Sequence, residues 1–336
     1  MTRKVCITGV AGFLGSHLAD KFLSEGWEVV GIDNLLGGYE SNVPVGVKFT
    51  VGDCCNLELM KEITTECDLV VHAACTAYEG LSVFSPALVV ENTVQATVTA
   101  LSASVSSRVS KFVYCSSMAR YGTQEIVPFT ENLVPMPQDP YGIAKASSEL
   151  LVKNIADTHG MTWTILVPHN IIGSRQKYDD PYRNVASIMI NRMLQGKQPI
   201  IYGDGQQRRC FSFIDDVVDP LYIAATRDTA NFKTINIGPD DEFITINDLA
   251  VEIAGQFNFA LDPVYMPGRP QEVKDANCSA DLAREILDFK STISLRDGIR
   301  DLIGWIKSMG TREFSYHLPL EIENDMTPAT WKEKLI

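Results

Sequence analysis

The chain has 336 residues, of which 45% are apolar and 21% charged. That balance suits one large or two closely packed globular domains and excludes a disordered or fibrous chain. Forty-two acids against 29 bases leave a formal net charge of -13, which argues against non-specific binding to nucleic acid or to an anionic membrane. In chain order, residues 5–8, 28–32, 48–51, 69–72, 112–115 and 163–167 read as strands, being short apolar runs without strict polar alternation. Such runs suit a parallel sheet covered on both faces. Between them, residues 13–25, 86–104 and 141–158 read as helices, with Gly160 a stop for the last. The pattern breaks up after about Pro168 into the turn-rich stretches Gly173-Ser174-Arg175-Gln176, Asp179-Asp180-Pro181 and Gly203-Asp204-Gly205. Shorter helices are predicted at 186–195, 215–227 and 246–253, with Thr245 as a cap for the last. Three regions follow: 1–170 around the parallel sheet, 171–310 as a smaller α/β domain with possible returns to the first, and 311–336 as an extension along the surface or against a partner. The sequence has no apolar run of 18 residues and no long apolar leader, so a cytoplasmic protein without membrane contact is expected. Its eight cysteines form no C-x-x-C and fall largely in strand-like runs, where a thiol packs as a small hydrophobe; no metal site is expected.

The first turn carries the sharpest signal. Gly9-Val10-Ala11-Gly12-Phe13-Leu14-Gly15 follows a strand, opens a helix, and is followed by a second strand ending in Asp33. Glycine at 9 permits the turn, at 12 lets backbone approach phosphate, and at 15 lets helix and strand close up. The N–H groups at the start of the helix then face a pyrophosphate. This is the dinucleotide-binding pattern of a Rossmann-type, doubly wound parallel sheet. The Asp33 carboxylate can accept bonds from ribose hydroxyls and repels a 2′-phosphate, and no arginine follows it closely, so NAD is expected over NADP. Asp53 and Cys54 follow the third strand as candidates for the adenine pocket. Ala73 and Ala74 end the fourth strand with small side chains where a cofactor approaches, and His72 before them reads as a buried, hydrogen-bonded residue.

Tyr141 and Lys145 are four apart and share a helix face. A lysine charge stabilises a phenolate, so the tyrosine can exchange a proton with a sugar hydroxyl, while Ser117 beyond a strand can hold that hydroxyl.

Together these residues resemble the extended short-chain dehydrogenase/reductase family, especially its nucleotide-sugar epimerases and dehydratases, over the chain to about residue 310. The matching elements are Gly9-x-x-Gly12-x-x-Gly15, Asp33, His72-Ala73-Ala74, Ser116-Ser117, Tyr141-x-x-x-Lys145, Pro168-His169-Asn170, Gly203-Asp204-Gly205, Arg209 and Gly268-Arg269-Pro270. The resemblance implies a Tyr141 base, Lys145 as its partner, and Ser117 as hydroxyl positioner. It sets Asn92 near the nicotinamide, Asn170 on the substrate, and Asn184, Arg209 and Arg269 as a nucleotide-diphosphate clamp, with Glu272 on a ribose or paired to Arg269. Arginine suits that task because its forked donors match phosphate oxygens. Two departures stand out: Ala77 replaces a lysine common in the family, and Arg120 precedes Tyr121-Gly122.

Dehydratases of this family carry an Asp-Glu pair immediately after the residue equivalent to Ser117, where this chain has Met118-Ala119. Their absence favours C4 epimerisation through a transient 4-keto sugar over dehydration, decarboxylation or net dehydrogenation. A catalytically silent NAD-responsive binding protein is the alternative from another class. The family implies a UDP-linked hexose and a homodimer paired through helices 86–104 and 141–158. Counting from Arg269 puts Ala276 at the C2 side of the sugar pocket, with room for an N-acetyl group, and a uronic acid stays in contention if Arg120 or Arg175 faces the sugar.

Overall fold

A computed structural model describes residues 2–240 and 243–336. Its elements, in order, begin β1 (Lys4–Thr8), α1 (Phe13–Ser24), β2 (Glu28–Asp33), β3 (Lys48–Val51), α2 (Leu57–Thr64), β4 (Leu69–His72) and α3 (Glu79–Ser82). There follow α4 (Pro86–Val90), a π-helical turn (Glu91–Gln95), α5 (Ala96–Ser106), β5 (Lys111–Cys115), α6 (Pro140–His159), β6 (Thr162–Pro168) and β7 (Ile171–Ile172). The chain continues through α7 (Val185–Leu194), β8 (Ile200–Tyr202), β9 (Arg208–Cys210), β10 (Ser212–Phe213), α8 (Ile214–Thr226), β11 (Lys233–Ile237) and β12 (Phe243–Thr245). It closes with α9 (Ile246–Gly255), β13 (Val264–Met266), β14 (Asp275–Ala276), α10 (Asp281–Leu287), α11 (Leu295–Met309) and α12 (Ala329–Lys332).

Seven strands form one parallel sheet in the order β11-β6-β5-β4-β1-β2-β3. The alternation of side chains along each strand explains why its runs are apolar throughout. Cys6, Val70 and Phe112 face one layer of helices with Met60, Leu101 and Val152. Val5, Ile7, Val71 and Val113 face the other with Leu18, Phe22, Val217 and Leu221. This is the doubly wound α/β architecture. The strand order reverses between β1 and β4, whose last residues Thr8 and His72 lie side by side. A crevice for a ligand opens beyond that point.

The six strands expected in the first half are present, within a residue or two at their ends. β11 is an addition: the chain leaves the sheet after β6, builds part of a second lobe, and returns to pair beside it. The second lobe packs α7, α9 and α11 around Tyr178, Met189, Ile253 and Ile303. The helix expected over 86–104 is broken into α4, the π-helical turn and α5. Residues beyond 311 bury Leu318 and Trp331 against Tyr78, Leu81, Phe84 and Tyr182, joining the two lobes. Among the described residues no helix is long and apolar enough to cross a membrane.

Candidate active site

One cleft of about 430 Å³ runs from the glycine-rich turn, past the ends of β1, β4 and β5, into the second lobe. That volume matches sites for small molecules. Gly9, Gly12, Phe13, Leu14 and Gly15 form one end. Gly9 has φ +72°, and a Cβ on it would sit 2.9 Å from the Ala74 backbone; on Gly15 it would sit 2.1 Å from the Gly9 carbonyl. α1 starts at Gly12 with no side chain capping it, which leaves its first N–H groups to a ligand. Asp33 is buried at the same end and accepts hydrogen bonds from the N–H groups of Ala11 (3.0 Å) and Leu35 (2.7 Å). Burial raises its carboxyl above the usual range and those backbone donors oppose the rise. Asp53, Cys54, Ala73, Ala74 and Asn92 line the cleft alongside. Asn92 sits in the π-helical turn, a device that recurs at functional sites. A cradle that side chains would fill, an open helix start and an inward carboxylate together fit NAD.

At the middle of the cleft, Asp139 caps α6 by accepting from the Gly142 N–H at 2.9 Å, and Pro140 occupies its first turn. Tyr141 follows Pro140 directly, Lys145 comes one turn later, and both are buried. The Lys145 ammonium lies 5.8 Å from the centre of the Tyr141 ring and donates to the Cys115 carbonyl at 2.6 Å. Burial pushes the Tyr141 phenol up; the Lys145 charge and a hydrogen bond with Ser117 pull it down. Ser117 caps the short turn at Met118–Tyr121, accepting from the Ala119 N–H at 3.2 Å. A buried ion pair holds that turn to α6: Arg120 Nε lies 2.9 Å from Glu149 Oε1, which also accepts from the Ser116 hydroxyl at 2.5 Å.

Asn170, Asn184, Arg209, Arg269 and Glu272 line the far end. Asn170 donates to the Cys210 carbonyl at 3.1 Å, and Asn184 caps α7 through the Ala186 N–H at 3.0 Å. Arg269 lies over the Tyr202 ring and pairs with Glu272 at 3.0 Å, and Arg209 approaches the same carboxylate at 4.0 Å. Two guanidinium groups thus converge beside one carboxylate, with forked donors of the kind that match phosphate oxygens.

Three residues lie elsewhere than the sequence suggested. Ala276 on β14 packs into the core with Tyr121, Phe129 and Cys278 and does not line the cleft. Arg120 is consumed by Glu149, and Arg175 pairs with Asp20 at 2.6 Å on α1, so neither guanidinium faces the sugar end. His72 is buried and bonded to Thr8 and Thr97. Among the described residues no cysteine forms a disulfide.

Sequence reasoning missed Glu79, Arg183, Tyr202 and Ile336, all of which line the cleft. Ile336 belongs to the segment after α11, whose Trp331 indole donates to the Pro181 carbonyl at 3.2 Å and whose Glu321 accepts from Ala87 and Leu88 at the start of α4. Nothing local in the sequence marks these residues, because distant segments bring them to the cleft.

Residues 5–238 match the NAD dependent epimerase/dehydratase family. A UDP-glucose 4-epimerase of Mycolicibacterium smegmatis is 28% identical over 316 residues, 91% of this chain and 99% of that protein. The crystal structure of UDP-glucose 4-epimerase with UDP-glucose from Thermotoga maritima superposes with a TM-score of 0.85 at 29% identity, covering 91% of this chain and 99% of its own. UDP-glucuronic acid 4-epimerase of Bacillus cereus, in complex with UDP-glucuronic acid and NAD, gives 0.85 at 28% identity over 91% and 100%. With the glycine turn, the inward Asp33 and the doubly wound sheet in common with a match over most of its length, this chain belongs to the NAD dependent epimerase/dehydratase family, and NAD is its cofactor.

Proposed function

We propose that the protein interconverts the C4 epimers of a UDP-linked hexose through a transient 4-keto sugar. One observation carries the reading: Ser117, Tyr141 and Lys145 meet midway along a continuous cleft that ends in Arg209 and Arg269. That spacing suits a sugar whose C4 hydroxyl meets Tyr141 while its diphosphate meets the arginines. Tyr141 takes the proton from the C4 hydroxyl, Ser117 orients that hydroxyl, and Lys145 holds the phenolate by its charge. NAD, which the glycine turn and Asp33 would hold, would supply reversible hydride exchange with C4. The 4-keto sugar turns over in the cleft, so that reduction occurs on its other face and Tyr141 gives the proton back. Met118 and Ala119 beside Ser117 have no transferable proton, which favours this outcome over elimination. Asn170, Asn184 and Glu272 complete the substrate end; Asp33, Asp53, Cys54, Ala73, Ala74 and Asn92 complete the cofactor end. The test is incubation of the purified, NAD-loaded protein with UDP-glucose or UDP-galactose, followed by chromatography of the sugars. Conversion in both directions without net NADH supports the reading. Stoichiometric NADH, or a stable 4-keto-6-deoxy product, overturns it.

Pairing of two copies through α4–α5 and α6 belongs to the same proposal. Val90, Ile143 and Leu150 are exposed apolar residues on those helices, and Ile143 and Leu150, seven apart, share one stripe of α6.

A further inference from the structure

The loop after β4 brings one more charge into the cleft. Glu79 opens α3 and lines the cavity. Its side chain is accessible through that cavity, and among the described residues its carboxylate has no hydrogen bond and no ion pair. The groups around it fix its place: Asp139 at the cap of α6, Tyr141 on α6, Arg209 on β9, and Arg269 with Glu272 in the loop after β13. Glu79 therefore lies within electrostatic reach of both the tyrosine and the arginine pair, and Arg269 comes against the neighbouring Gly80. Burial, aided by Asp139, pushes its carboxyl up to about 7, against the pull of Arg209 and Arg269. A ligand that displaces water from this carboxylate has to replace the lost hydrogen bonds.

We infer that Glu79 selects the sugar: it accepts hydrogen bonds from the hydroxyls of a neutral hexose and disfavours a hexuronate. This deepens the C4-epimerase reading and rests on it for the orientation of the sugar. C1 carries the diphosphate and C4 meets Tyr141, so the C1–C4 line runs past Glu79. Turning the 4-keto sugar about that line exchanges the C2–C3 edge with the C5–C6 edge. A side chain beside the line meets both edges in one catalytic cycle, so a carboxylate on C6 cannot avoid it. Like charges facing each other in a cleft oppose binding, whereas hydroxyl or acetamido N–H donors satisfy the carboxylate. Of the cleft's other cations, Lys145 donates to the Cys115 carbonyl, while Arg183 lies over the Tyr78 ring with Asp180 and Tyr141 nearby and is the competing partner for a uronate.

Calorimetric binding of UDP, UDP-glucose and UDP-glucuronate to the NAD-loaded protein at pH 6 and pH 8.5 tests this, with turnover measured alongside. At pH 8.5 the wild type should bind UDP-glucuronate about tenfold more weakly than UDP-glucose, or worse. Above the Glu79 titration the ratio should widen by up to about tenfold per pH unit, because uronate binding takes up one proton. Glu79→Gln should close the gap at pH 8.5 by strengthening UDP-glucuronate more than UDP-glucose or UDP, with NAD affinity unchanged. Equal affinities in the wild type at pH 8.5, as an Arg183–carboxylate pair would give, overturn the inference; so does a gap that survives Glu79→Gln, or failure to bind either sugar. A gap that obeys these rules in a protein that epimerises neither sugar supports charge selection and sinks the epimerase reading alone.

Discussion

Tyr141 is a phenol that its surroundings alone would keep protonated. Burial pushes it up, while the Lys145 charge and the Ser117 hydroxyl act in the other direction. Removing the hydroxyl should therefore cost turnover more than binding. Tyr141→Phe keeps the ring against Val89 and Ala119 and should lower kcat by about 10²–10⁴, while NAD affinity, measured by fluorescence titration, stays near wild type. Retained turnover would remove Tyr141 from the chemistry. This constellation was legible in the sequence because each part is local: a turn motif, a strand end, a four-residue spacing on a helix. Ala276 was not. Counting along the chain from Arg269 gives distance but not direction, and in an extended strand adjacent residues face opposite sides. Glu79 was hidden for another reason: its neighbours come from α6, β9 and the loop after β13, which no local pattern connects.

At the level of elements, the catalytic geometry depends on how the turn carrying Ser117 is fixed to the helix carrying Tyr141. Arg120 and Glu149, each under 5% exposed, make that joint, and the Arg120 guanidinium also donates to the Tyr121 hydroxyl, which donates in turn to Asn236 at the edge of the sheet. Glu149→Ala leaves a buried guanidinium without its counter-charge. It should destabilise the protein by about 3–5 kcal/mol in urea unfolding, and lower kcat of the folded fraction as Ser117 loses its fixed position. A loss within about 0.5 kcal/mol, the range of ordinary surface changes, would show that the joint contributes little. The sequence made Arg120 look like a charge for the sugar, since nothing nearby advertises that Glu149, 29 residues on, claims it. The π-helical turn at Glu91–Gln95 was illegible for a related reason. Apolar residues repeat on either side of it at ordinary helical spacing, so the stretch reads as one uninterrupted helix.

For the whole molecule, the buried end of β4 couples stability to acid. His72 is fully enclosed between Thr8 and Thr97, and burial, with the Lys145 charge beside it, lowers it from 6.5 to about 3. Between those values the unfolded chain binds the proton and the folded one does not, so stability present above about pH 6.5 is lost as pH falls, by about 1.4 kcal/mol per unit. His72→Gln should flatten this limb in urea unfolding at pH 6.5 and 4.5; an unchanged slope would assign the acid sensitivity to other groups. Assembly belongs to the same scale. Leu150→Asp should leave the fold intact and shift light scattering from dimer towards monomer, and a wild type that stays monomeric at every concentration would end the dimer proposal. The sheet order was foreseeable because parallel strands and glycine turns leave few arrangements. The return of β11 and the docking of the last residues were not, since both depend on surfaces made by the rest of the fold.

That docking sets an order on how the cleft is made. Gly9 to Lys145, which outline the cofactor end, leave the ribosome long before Trp331 and Ile336, which close the wall against Gly80 and Pro181. A nascent chain can thus shape its NAD-binding half while the sugar half still lacks a side. The full substrate cleft forms only when this later-made segment settles across both lobes.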